Sequence, residues 1–242
     1  MRRDIWTFTA APHGTPLKLA RWGHYGTPVL LYPSAGADCL EVERLGLIDS
    51  LAALIEAGRL KIYSPDGAAA RAWLTRAGGV RERAGAQQAY LARVQAELVP
   101  QIRRDCESPA IEIVAAGAAL GAASALASLL TDPQAFRAAL TLSGVFERLG
   151  CVRGPLERHA RPQAELPGVA ALLAASPPRV RQRRVLLVAG RGDYEQPGET
   201  ERTAALLGAQ GVSSRVELWG TDSPHGFGSW RRMLPRYLAE LL

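Results

Sequence analysis

Along the chain, short unbroken apolar runs alternate with stretches in which apolar residues recur every three or four positions. Pro28–Tyr32 (PVLLY) is bounded by Gly26 and Pro33 and reads as a fully buried strand. Leu60–Tyr63 reads as a second core strand, and Ile111–Ala115, Ala138–Leu142, Val185–Ala189 and Val216–Trp219 read as further strands. Between them the spacing predicts helices over Leu45–Ala57, Ala84–Arg104, Leu120–Leu130, Thr203–Gln210 and Trp230–Leu242. Tyr90, Val94, Leu98 and Ile102 form the apolar stripe of the second of these. Ile5–Ala10 and Leu17–Trp22, separated by Pro12, Gly14 and Pro16, predict an opening antiparallel pair.

Strands that alternate with helices imply right-handed βαβ units, hence a mostly parallel, doubly wound α/β sheet flanked by helices, with antiparallel N-terminal strands. Neither an internal repeat nor a low-complexity linker interrupts the pattern, so residues 1–242 are expected to form a single domain. Residues 144–178 lapse into Pro, Gly and Arg and are expected to form an irregular cover over the carboxyl edge of the sheet, where open α/β sheets place ligands.

Composition changes this picture little. The balance of 29 Lys+Arg against 23 Asp+Glu gives a net charge of +6. All but Lys18 and Lys61 of these cations are arginines scattered along the chain, so nucleic acid is not expected as a partner. The densest basic run, Arg179–Arg184, reads as a solvated turn before a strand. Cys39, Cys106 and Cys151 are an odd number without CxxC spacing, which fits a reducing, cytoplasmic setting and neither a disulfide framework nor a zinc site. The charge-free run from Ile113 to Leu130 approaches membrane-span length, but Gly117 and Gly121 divide it into strand, turn and helix, and no membrane association is expected.

The chemistry is concentrated where Ile111–Ala116 runs through Gly117-Ala118-Ala119-Leu120-Gly121-Ala122 into a helix. Neither a dinucleotide fingerprint nor a phosphate loop is present, and no cofactor is expected. The segment fits the strand–turn–helix elbow G-x-S-x-G with Ala119 in the serine's place. In that elbow the central residue is held at positive φ, and the flanking positions must be small because strand and helix approach closely. An Ala/Gly-rich junction without that strain would give the same letters.

The companions of such an elbow follow it in the order acid, then base. Asp193 lies just after the run VLLVAG, and His225 lies in the loop after VELWG. Asp222 and Glu195 are rival acids in the same two loops. An imidazole held by a carboxylate serves as general base for a hydroxyl, and the oxyanion that develops needs preorganised N–H donors. Leu120, following the nucleophile position, and Ala35, in the loop after PVLLY, are the candidate donors, although Ser34-Ala35-Gly36 also reads as an ordinary turn. Ser124, Ser143 and Cys151 do not stand where a replacement nucleophile would.

From Trp22 to Leu238 the chain resembles the bacterial putative-esterase branch of the α/β-hydrolase superfamily, related to esterase D. The resemblance rests on PVLLYPSAGADCLEVERLGLIDSLAALIEAGRLKIYSPDG, the elbow, LTLSGVFE and the closing HGFGSWRRMLPRYL. It implies Ala119 at the nucleophile position, His225 as base, Asp193 as acid, Leu120 and Ala35 at the oxyanion hole, and a small-molecule ester as substrate or ligand. Two features depart from the branch: Ala in place of Ser, and His225-Gly226-Phe227 where relatives carry His-Asp followed by aromatic residues. Two functions follow as expectations. One is an ester hydrolase whose serine has been replaced, in the laboratory or recently in evolution. The other is a natural pseudoenzyme that binds a ligand or partner without chemistry.

Overall fold

In the computed structural model the described residues are 3–9, 15–68, 80–146 and 169–242. They build an eight-stranded sheet: β1 (Arg3–Phe8), β2 (Leu17–Trp22), β3 (Thr27–Tyr32), β4 (Leu60–Pro65), β5 (Ile113–Ala118), β6 (Phe136–Leu142), β7 (Arg184–Ala189) and β8 (Ser213–Leu218). The spatial order is β1-β2-β4-β3-β5-β6-β7-β8. β1 and β2 pair antiparallel, β2 pairs antiparallel with β4, and every pairing from β4 to β8 is parallel. The chain steps from β3 outward to β4 and then back across β3 to β5. The direction of winding therefore reverses beside β3, and a crevice opens at the carboxyl ends of β3 and β5.

The helices are α1 (Glu41–Arg44), α2 (Leu47–Ser50), α3 (Ala52–Glu56), α4 (Val80–Arg93), α5 (Val99–Asp105), α6 (Leu120–Thr131), α7 (Val169–Ala175), α8 (Pro197–Ala209) and α9 (Phe227–Glu240). Successive strand residues serve opposite faces. Leu30 and Tyr32 join one buried layer with residues of α4 to α8, while Val29 and Leu31 join another with α1 to α3 and α9. Helices thus cover both sides of the sheet, and the central run Pro28–Tyr32 of β3 and all of β5 are apolar and buried because neither face meets water, whereas the edge strand β8 keeps Ser213 and Arg215 exposed.

Three expectations need correction. The single helix expected over Leu45–Ala57 is broken into short pieces, because Gly46 sits at φ 74° and Leu51 closes one turn before the next begins. The long helix over Ala84–Arg104 passes through a wider π turn at Val94–Leu98, immediately before Pro100, which has no N–H to continue the i to i−4 ladder. Its stripe of Tyr90, Val94, Leu98 and Ile102 is nonetheless buried. Most of the expected cover, residues 147–168, lies outside the described residues. Of the rest, Val169–Ala175 is a regular helix with Val169 and Leu173 in the core, not an irregular strap.

The basic run Arg179–Arg184 forms a 3₁₀ turn and the start of β7. Arg179 and Arg183 both pair with Glu112, and the buried Arg183 also donates to the Pro133 carbonyl. Among the described residues no helix is long and apolar enough to cross a membrane.

A cleft of about 1030 Å³ lies at the amino ends of β3 to β6, the edge opposite the crevice, between Arg59, Lys61, Asp105, Glu112 and Arg137. Its buried charges are engaged with one another. The Lys61 ammonium meets Asp105 Oδ2 at 2.8 Å, and the Tyr63 hydroxyl donates to the same carboxylate at 2.6 Å. Burial alone would raise the Asp105 pKa, but these hydrogen bonds and the charges of Lys61 and Arg21 outweigh it and hold the carboxyl below its ordinary range. That cluster ties β2, β4 and α5 together.

Candidate active site

Ala119 joins β5 to α6 at φ 50°, ψ −118°. Residues with a Cβ rarely occupy that region, and holding one there costs about 1–3 kcal/mol. The corner is over-determined by its neighbours. Ala119 N–H donates to the Leu142 carbonyl at 3.0 Å, and the Ala119 carbonyl accepts from Ala122 and Val145, both at 3.2 Å. The flanking glycines are sterically required. A Cβ on Gly117 would stand 2.3 Å from the Gly121 carbonyl oxygen, and one on Gly121 would stand 2.5 Å from the Pro33 oxygen. Strand, turn and helix are pressed together around a residue that has no functional group to present.

Replacing Ala119 with glycine should therefore stabilise the fold. Relief of the strain exceeds the extra chain entropy of glycine, about 0.5–1 kcal/mol, and the net gain is about 1 kcal/mol. A urea titration with unchanged slope and a raised midpoint checks this; a lowered midpoint means that the corner is relaxed.

The loops after β7 and β8 are stitched together by their backbones. Gly192 N–H donates to Ser223 O (3.2 Å), Arg191 N–H to Gly220 O (3.3 Å) and His225 N–H to Asp193 O (2.9 Å). The approach is close enough that a Cβ on Gly190 would stand 1.8 Å from the Ser223 oxygen. This seam fixes the start of α9 and with it the imidazole. His225 has a quarter of its side chain exposed and packs edge-on against Trp230, ring centres 5.2 Å apart.

Of the acids weighed from the sequence, the structure turns Glu195 toward His225. Glu195 Oε2 is 3.8 Å from His225 Nδ1, and the Glu195 side chain is 1 % exposed. Asp193, the expected acid, has an exposed side chain and reaches His225 only through its carbonyl. Asp222 is also exposed and pairs with Arg232. The reason is local. Tyr194 takes φ 63°, and Glu195 N–H closes a turn onto Gly192 O, so the chain bends after Asp193 and brings Glu195 inward.

The candidate oxyanion donors differ from one another. Leu120 N–H is already engaged, donating to the Ser34 carbonyl at 3.1 Å. Ala35 is exposed, and its N–H makes no hydrogen bond among the described residues. Ser34 O and Ala35 N–H belong to one peptide unit, so the orientation that closes the first donor also sets where the second points. Glu41 holds Ser34 from the other side, through the preceding peptide and the side chain. Its buried carboxylate accepts the Ser34 N–H at 2.6 Å and the Ser34 hydroxyl at 3.2 Å. Burial pushes the Glu41 carboxyl above its ordinary pKa range against the opposing pull of those two hydrogen bonds. Nothing in the spacing of Glu41 marked it beforehand: it lies among other charged residues, Glu43 and Arg44, ahead of the expected helix.

Ser143, at the carboxyl end of β6, is likewise drawn in. Its Oγ lies 2.5 Å from Glu195 Oε1 and accepts the Trp230 indole N–H at 2.9 Å. Gly144 immediately after it was the sequence mark of a special backbone there; Ser143 itself takes φ 48°.

A mostly parallel sheet of this order, flanked by helices and opened by antiparallel strands, is the plan of the α/β-hydrolase fold, and solved structures share that fold. FphF, a fluorophosphonate-binding serine hydrolase of Staphylococcus aureus, superposes with a TM-score of 0.69 at 16% identity, over 98% of this chain and 97% of its own. MPT51 (FbpC1) of Mycobacterium tuberculosis gives 0.66 at 16%, over 99% and 97%. The enterobactin esterase FES of Shigella flexneri gives 0.67 at 18%, over all of this chain and 59% of its own. The chain belongs to the family described as "Putative esterase", whose profile matches residues 48–241. Among curated proteins none matches it.

Proposed function

We propose that the chain carries the acid–base half of a carboxylic ester hydrolase, with His225 as base, Glu195 as its carboxylate partner and Ala119 at the position from which a serine would attack. As it stands it is nearly inert toward esters. The observation that carries this reading is the retained strain at Ala119: the elbow's characteristic φ 50°, ψ −118° persists with no hydroxyl to display. Membership of an esterase family points to a small-molecule ester as the ligand class.

With a serine at position 119, His225 would take the hydroxyl proton as Oγ attacks the ester carbonyl, and return it to the departing alcohol. Glu195 would orient the imidazole and stabilise the imidazolium. The tetrahedral oxyanion would draw on Leu120 N–H, once that group exchanges the Ser34 carbonyl for the ligand, and on Ala35 N–H. Water would then release the acyl group by the same route.

The assignment of the acid separates cleanly in the Ala119→Ser background. Glu195→Gln should lower kcat by about 10⁴-fold, the cost of disabling the carboxylate behind a catalytic imidazole. Asp193→Asn should leave kcat nearly unchanged, because its carbonyl bond to His225 survives. The reverse ranking would return the role to Asp193.

A second reading, ligand binding without chemistry, is favoured by one observation. The Leu120 N–H that catalysis needs is closed by the protein's own Ser34 carbonyl. A serine revertant that stays inert across acyl lengths, yet binds short-chain esters by calorimetry, would establish that reading.

A further inference from the structure

Glu195 is buried with unequal oxygens. Oε1 accepts a hydrogen bond from Ser143 at 2.5 Å. Oε2, equally cut off from solvent, has no hydrogen-bond partner among the described residues and stands 3.8 Å from His225 Nδ1. A buried acceptor left unpaired costs about 1–3 kcal/mol, so this oxygen is short of one donor, and the imidazole Nδ1–H is the donor that faces it. Catalytic hydrogen bonds are commonly long in the absence of ligand and tighten when the site is filled.

The direction of the chain behind Oε1 follows from the groups themselves. An indole nitrogen only donates, so Ser143 Oγ must accept the Trp230 N–H at 2.9 Å. The single Ser143 proton then goes to its other neighbour, the carboxylate. The relay runs from Trp230 N–H to Ser143 O–H to Glu195 Oε1, and it is complete when Glu195 carries its charge. Ser143 is held for this at φ 48°, with its N–H donating to Val188 O at 2.7 Å across to β7. Trp230 also packs against the His225 ring, so one indole positions both members of the pair.

We propose that Ser143 is a positioning residue for the His225–Glu195 pair: fed by Trp230, its hydroxyl fixes Glu195 Oε1 and leaves Oε2 turned to the imidazole. This rests on the reading of that pair as the acid–base machinery.

Two experiments test it. In the Ala119→Ser protein, Ser143→Ala and Trp230→Phe should each lower kcat for p-nitrophenyl acetate by up to about 10²-fold, the cost of an ångström of misplacement, with KM unchanged. Combined, they should cost little more than either alone, because one relay is broken once. Additive losses, or losses confined to KM, would overturn the proposal. The second experiment needs no serine. The native chain should show a strongly downfield imidazole Nδ1–H proton resonance that Glu195→Gln and Ser143→Ala each abolish. Absence of that resonance from the native chain, or its persistence unchanged in Ser143→Ala, would overturn the proposal whatever the hydrolysis assay gives. If the resonance behaves as expected while the serine protein is inert, the positioning role stands and the hydrolase reading falls.

Discussion

Replacing Ala119 with serine should raise hydrolysis of short-chain p-nitrophenyl esters about 10³–10⁴-fold above that of the native chain. The figure follows from two opposing magnitudes. In a well-studied serine protease, loss of the nucleophile costs about 10⁶ in kcat, so its return has that much to recover. Loss of one oxyanion donor costs about 10²–10³, and Leu120 N–H begins engaged with Ser34 O, so that part of the recovery is withheld. Adding His225→Ala should take the rate back to background, which ties the gain to the imidazole and not to a contaminating esterase. Initial rates across a series of acyl lengths are the measurement. A serine protein that remains inert throughout removes the hydrolase reading and leaves the fold. A full 10⁶-fold gain would mean that the Ser34–Ala35 peptide opens at no cost.

Gly121→Ala should destabilise the fold by about 4 kcal/mol, lowering the melting temperature by roughly 10 °C for a chain of this size. The added methyl would stand 2.5 Å from the Pro33 carbonyl oxygen and 2.7 Å from that of Tyr32. Both are backbone atoms at the end of a central parallel strand, and neither can yield by a side-chain rotation. The relief available is to push α6 away from β3, and α6 is buried along most of its length. Gly208→Ala is the control. It lies in α8 with nothing within 4 Å of the new Cβ, and should stabilise by about 0.5–1 kcal/mol through reduced chain entropy. Differential scanning calorimetry of the two variants distinguishes close packing at the elbow from a general intolerance of alanine. A Gly121→Ala protein as stable as the native chain would mean that the elbow is looser than its distances state.

What the amino-acid order determined by itself was everything governed by short-range periodicity and small-residue punctuation. The strands from PVLLY to VELWG, most of the helices that alternate with them and the antiparallel opening pair are written in local pattern; Pro28–Tyr32 and β5 are apolar throughout because both their faces are buried. The elbow was legible too, since only glycine at positions 117 and 121 permits the approach that the structure displays. The tertiary fold alone decided which way individual side chains turn. Asp193 and Glu195 are two residues apart on one loop. The positive φ of Tyr194 separates them, leaving one carboxylate in water and the other behind the imidazole. In the same way, Ser143, Trp230 and Glu195 come from three distant segments and meet only because parallel strands deliver their carboxyl ends to one edge. Ser34 likewise meets Glu41 through its N–H and Leu120 through its carbonyl only once the chain is folded. Backbone torsions in loops and contacts across a sheet edge carry no period, so they leave no trace in linear order until the chain is folded.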